Sequence, residues 1–208
     1  MGTTRKFAIT GALVAAATGV SLVTAVTASG HVSAADASKA AKIRDAMSAA
    51  PLSVSKNATI MDYPSSPDGN LVLLRKGSNG WTCLPSDPST PTDDPICADP
   101  QVMKWFAAWQ THTKPQLSAD GYAYMLRGAS DASNTDPFAM KPAKGAHWMV
   151  SPPHVMVFPK STKEFHGLSH NPGNGGPWVM YAGTPYAHMM VPVTSPHEST
   201  IGGISLGH

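Results

Sequence analysis

The chain has 208 residues, of which 42% are apolar, 7% aromatic and only 13% charged, with 18 Gly and 19 Pro. That length carries one ordinary domain with a core of its own, and the apolar content excludes a disordered chain. With 15 basic against 13 acidic side chains, the formal charge is only +2, too small a cationic surplus to point to nucleic acid or an anionic membrane.

The first stretch has the pattern of a targeting segment. Arg5 and Lys6 are followed by no charged residue until Asp36, and Val32-Ser33-Ala34 fits the small-x-small rule for cleavage. Residues 1–34 are expected to be a signal peptide, with an uncleaved anchor as the alternative. Cleavage removes Arg5 and Lys6 and leaves 13 bases against 13 acids, so the exported part is expected to have no nucleic-acid or membrane partner. Its destination would be the periplasm or the medium.

Residues 35–193 read as a single domain. The stretch 35–50 is rich in Ala, Lys and Arg, with Ile43 and Met47 four apart, and stops at Pro51: a helix with a narrow apolar stripe. Three strand-like runs follow, at 58–63, 71–75 and 81–84. Turn-rich connections join them, which predicts an antiparallel meander.

Cys83 and Cys97 form an even pair in an exported chain and predict a disulfide closing a loop rich in Pro, Asp, Ser and Thr. Asp99-Pro100 then supplies an N-cap and a proline at the first helical position. The helix they open runs to about His112, with Val102, Met103, Phe106 and Trp109 on the side that would pack on a sheet.

Strand character returns at 122–127, 147–150, 154–158, 178–181 and 186–193. Gly183-Thr184-Pro185 would turn the last two into a hairpin, and Ser151-Pro152-Pro153 separates the earlier pair. The tail, 194–208, is small, polar and glycine-rich, and is expected to be loose. Strands dominate and do not alternate with helices, so the fold class is α+β: a mainly antiparallel sheet with one or two packed helices.

Several short runs stand out: Asn79-Gly80-Trp81-Thr82-Cys83, Ser133-Asn134-Thr135-Asp136-Pro137-Phe138-Ala139, Gly175-Gly176-Pro177-Trp178-Val179-Met180 and Gly183-Thr184-Pro185-Tyr186-Ala187-His188. With Pro153-His154-Val155-Met156 they resemble a family of exported bacterial hypothetical proteins with no established activity. The likeness covers about 43–193. It implies bacterial export and a single domain, and it assigns no catalytic residue.

The pattern with chemical content is His-x-Met, which occurs at His147/Met149, His154/Met156 and His188/Met190. In a strand, positions i and i+2 share a face, so each run would present an imidazole beside a thioether. Imidazole serves several transition metals, and a thioether selects Cu(I), so the chain reads as a binding protein for copper or another soft metal. His166, His170 and Met180 are further candidate ligands. The contrary reading makes His154 and His188 core histidines, each bonded to a backbone carbonyl, with Met as filler.

Two other readings stand beside it. A secreted enzyme would pair His154 or His188 with Asp62 or Asp136 as an acid/base couple. A metal-free envelope module would use Trp81, Trp148, Trp178, Tyr181 and Tyr186 as an apolar surface or core. Gly203-Ile204-Ser205-Leu206-Gly207 has the letters of a nucleophile elbow, but only His208 follows it, so no triad can form in the required order. The oxygen-rich run at 131–136 lacks EF-hand spacing and reads as a turn-forming loop.

Overall fold

The structure is a computed structural model describing residues 34–66 and 69–193, together with the backbone of residues 200–201 and 204–205. The expected signal peptide lies outside the described residues except for Ala34, and so does most of the expected tail.

Helix α1 spans Ala34–Ser48, and a single turn, α2, spans Leu52–Ser55. Strands β1 (Thr59–Asp62), β2 (Val72–Arg75), β3 (Thr82–Leu84) and β4 (Ile96–Ala98) precede helix α3 (Pro100–Gln110). After it come β5 (Gly121–Met125), β6 (Ala129–Asp131), β7 (Met149–Ser151), β8 (His154–Phe158), β9 (Trp178–Met180) and β10 (His188–Pro192). In the tail, β11 (Thr200–Ile201) and β12 (Ile204–Ser205) pair antiparallel. Among the described residues, no helix is long and apolar enough to cross a membrane.

Eight strands make one sheet, in the order β2-β1-β3-β4-β5-β8-β10-β9. Every neighbouring pair is antiparallel except β1 and β3, and β6 and β7 form a separate two-stranded ribbon. The class is therefore α+β with a mainly antiparallel sheet, as the sequence predicts.

The expected meander of the first three strands is corrected. β1 lies between β2 and β3, and β3 runs parallel to it. The chain leaving β2 crosses the start of β1 instead of turning back beside β2. Gly77 makes that crossing feasible: a Cβ there would sit 2.2 Å from the Thr59 nitrogen and 2.3 Å from the Ala58 carbonyl carbon. The crossing is held by Ser78 N–H to the Asn57 oxygen (2.8 Å) and Thr59 N–H to the Trp81 oxygen (2.8 Å).

Alternation along the strands divides the core into two layers. On one side α1 covers β1 to β4, where Ala46, Ala49, Ala58, Ile60 and both cysteines are buried. Cys83 and Cys97 lie directly opposite each other on β3 and β4 and form the disulfide. On the other side α3 packs over β4 and β5, and its Trp105 joins Met156, Phe158, Trp178 and Met190.

Asp99 fixes α3 to the sheet. Its Oδ1 accepts from Gln101 N–H and Val102 N–H at 2.8 and 2.9 Å, while Oδ2 accepts from Tyr122 N–H at 2.8 Å. One carboxylate thus caps the helix and ties it to β5, a contribution of about 1 kcal/mol or more.

Candidate functional site

The face beneath α3 has a register that decides the chemistry. On β8 the buried positions are His154, Met156 and Phe158, and on β10 they are His188 and Met190. Met156 stands opposite Met190, which stands opposite Trp178 on β9; His188 stands opposite Met180. On the far side of β8, Met125 stands opposite His154 and Ala123 opposite Met156. Two of the three His-x-Met runs therefore share one face, with their thioethers paired at the centre.

Their imidazoles are not paired. His154 faces Pro192 across the ladder, so it lies four residues along the strands from His188, about 13 Å at the usual rise. One ion cannot take both rings. The third run does not join them at all: His147 is exposed and outside any strand, and Met149 lies opposite Asp131 in the separate ribbon. His166 and His170 are exposed and line a different surface groove with Lys114 and Lys163.

Between this face and α3 lies a cavity of about 210 Å³. Its floor is Met125, Met156, Met180, Met190, Phe158 and His188, and its roof is Trp105, Phe106 and Trp109. Its rim is polar: Asp87, Thr90 and Asp94 come from the loop that the disulfide closes, Ser130 and Asp131 from β6, with Tyr63 and Tyr181 beside them. His154 is not among the lining residues.

Both histidines are neutral core groups by environment. His188 Nδ1–H donates to the Tyr186 oxygen at 3.1 Å, and His154 Nδ1–H to the Pro152 oxygen at 2.6 Å. Burial lowers each ring to a pKa of about 4, against the partial opposition of those carbonyls. The carbonyl bond fixes the tautomer and leaves Nε2 as the lone-pair nitrogen. The His188 ring stacks on Phe158 at 4.6 Å and meets Trp105 and Tyr181 edge-on at 5.5 and 5.4 Å.

The acids of the rim differ sharply in their partners. Asp94 is satisfied: Thr90 Oγ1–H donates to it at 2.6 Å and Asp87 N–H at 2.9 Å, yet burial still raises its pKa. Asp131 is a half-buried residue whose carboxyl oxygen Oδ2 is fully inaccessible and has no hydrogen-bond partner. Burial, reinforced by the charge of Asp94, pushes it up to about 7. Trp105 Nε1 is likewise buried without an acceptor.

Tyr181 closes the wall between Asp131 and His188 in a left-handed conformation, φ 54°, held by its N–H donating to the Asn134 oxygen at 2.8 Å. A non-glycine residue pays about 1 kcal/mol or more for that backbone. Burial, then Asp131, raises the Tyr181 hydroxyl's pKa; burial, then Asp87, raises that of Tyr63.

The acid/base couples expected from the sequence do not form among the described hydrogen bonds. Asp62 takes Lys42 Nζ at 2.6 Å and Tyr63 N–H at 3.0 Å, and Asp136 takes Phe138 N–H at 2.9 Å. The carboxyls that share a cavity with His188 are Asp87, Asp94 and Asp131. In the oxygen-rich run, Ser133 Oγ accepts from Thr135 and Asp136 N–H at 3.1 and 2.9 Å, an ordinary turn. Among the described residues no group of three or more His, Cys, Asp or Glu could hold a metal ion.

Sequence reasoning found Met156, Met190 and His188 through their spacing, passed over Asp94, Tyr63 and Trp105, and read Asp131 only as the start of a turn-forming loop, whereas it ends strand β6. Nothing in a loop aspartate marks it as buried. The one local signal was Asp131 next to the small residues Ala129 and Ser130, which let a strand bury there. Comparison of the chain with protein-family models, curated proteins and solved structures finds no match.

Proposed function

We propose that this chain is an exported binding protein that holds a soft monovalent metal ion, Cu(I), in the methionine-walled cavity. The sulfur atoms of Met156, Met180 and Met190 and the Nε2 of His188 are its ligands. The observation that carries this reading is the register: Met156 opposite Met190 and His188 opposite Met180, all four lining one cavity. Directly opposed side chains have Cβ atoms about 5 Å apart, within reach of a shared ion for flexible thioethers.

The donor set fits the compartment that the cationic and apolar N-terminus implies. No cysteine is free, because both are held in the disulfide, so thioethers and imidazole are the remaining soft ligands. The Nδ1–carbonyl bond of His188 is the outer contact that orients a metal-binding imidazole. A plain core would use the same carbonyl bonds. It would not leave a cavity of about 210 Å³ against four thioethers, which close packing normally fills.

The test is a Cu(I) titration against a competing chelator, with Met156→Leu/Met190→Leu as the paired variant. Leucine keeps the volume and removes the sulfur, at a cost to stability below about 1.5 kcal/mol per site. The expected result is stoichiometric binding that the variant loses by a hundredfold or more while staying folded. Wild-type protein with no Cu(I) affinity tighter than micromolar, or a variant that binds as well, overturns the reading.

A further inference from the structure

We propose that Asp131 is the counter-charge of this site, a specificity-determining carboxylate that faces the bound monovalent cation across the cavity without ligating it. The inference rests on the soft-metal reading and deepens it.

Three thioethers and a neutral imidazole carry no charge. An ion held by them alone brings an uncompensated positive charge into a low-dielectric interior, which costs several kcal/mol unless an opposite charge is buried nearby. Asp131 meets that need. It lines the same cavity as Met156, Met190 and His188, and its Oδ2 is inaccessible and accepts no hydrogen bond.

The other buried acid of the rim is spent on structure. Asp94 accepts from Thr90 and from the Asp87 backbone, so its lone pairs hold the loop closed. Asp131 has no such duty. Neither of the two salt bridges among the described residues includes it; Arg127, nearby in sequence, pairs with Asp93 instead at 3.0 Å. With Oδ2 closed off from solvent, no hydrogen bond compensates its charge in the empty fold. A buried carboxylate without a cation burdens the empty fold, and such groups concentrate where a ligand completes them.

Asp131→Asn keeps the shape and removes the charge. Two unit charges held across such a cavity interact strongly enough to shift affinity roughly tenfold to thirtyfold at the effective dielectric of protein interiors. At pH 8 the variant is expected to bind Cu(I) that much more weakly, while the empty protein unfolds at the same temperature as wild type or higher. A merely structural aspartate would lower both. Asp131→Glu, which retains the charge, should restore binding to within about threefold of wild type.

An Asp131→Asn protein that binds Cu(I) as tightly as wild type overturns the counter-charge and leaves the metal site standing. So does an affinity loss accompanied by an equally large loss of empty-protein stability, with no recovery in Asp131→Glu. Wild-type protein that binds no Cu(I) overturns both.

Discussion

Lowering the pH sets the buried groups of the site against one another. His154 and His188 are each shifted by burial from 6.5 to about 4, so the unfolded chain binds more protons than the folded one between those values. Stability from these rings is complete above pH 6.5 and is lost as pH falls towards 4; at pH 5 the loss is about 2 kcal/mol per ring. Asp131 acts in the opposite sense. Its folded value near 7 lies above the ordinary 3.8, so the folded state holds the extra proton and its penalty is relieved as pH falls. Between pH 8 and pH 5 that relief is about 2–3 kcal/mol.

The wild-type protein should therefore lose only about 1–2 kcal/mol from these three groups between pH 8 and pH 5, and Asp131→Asn about 4. Urea unfolding of both proteins at pH 8, 6 and 5 measures this, and the other acids cancel in the difference between the two profiles. Convergence towards acid, with the variant the more stable at pH 8 and its advantage shrinking as pH falls, is the expected result. Parallel profiles would refute the reasoning, because Asp131 would then titrate alike in the folded and unfolded chains.

Two further predictions follow from the frame around the site. Replacing both cysteines with serine should cost about 3 kcal/mol by chain entropy and should also weaken Cu(I) binding, because the loop the disulfide closes carries Asp87, Thr90 and Asp94; thermal unfolding and the same chelator titration test both halves. Gly77→Ala would place a Cβ 2.2 Å from the Thr59 nitrogen, so soluble yield and unfolding midpoint should both fall steeply, and an unchanged midpoint would contradict the crossing of β2 to β3.

Local chemistry was readable wherever it decided the structure by itself. The Asp99-Pro100 start of α3, the strand His154–Phe158 and the antiparallel pairing of β9 with β10 all follow from caps, periodicity and turn residues. β4 escaped because three residues, Ile96–Ala98, carry no period; its place between β3 and β5 makes it a strand. The parallel pairing of β1 with β3 depends on a close backbone crossing at Gly77, which composition does not announce. At the site, alternation put His and Met on one face, but only the ladder register decided that Met156 meets Met190 while His154 and His188 stay apart. The burial of the Asp131 Oδ2 owes most to tertiary neighbours: β7 pairs with its strand, and residues of the disulfide-closed loop share its cavity.

X-ray absorption at the copper edge of the Cu(I)-loaded protein tests the central claim most directly, because it reads the ligand atoms themselves. The account predicts a first shell dominated by sulfur with one nitrogen, and a loss of that sulfur in Met156→Leu/Met190→Leu. A shell of nitrogen and oxygen alone, or protein that retains no copper, would contradict it.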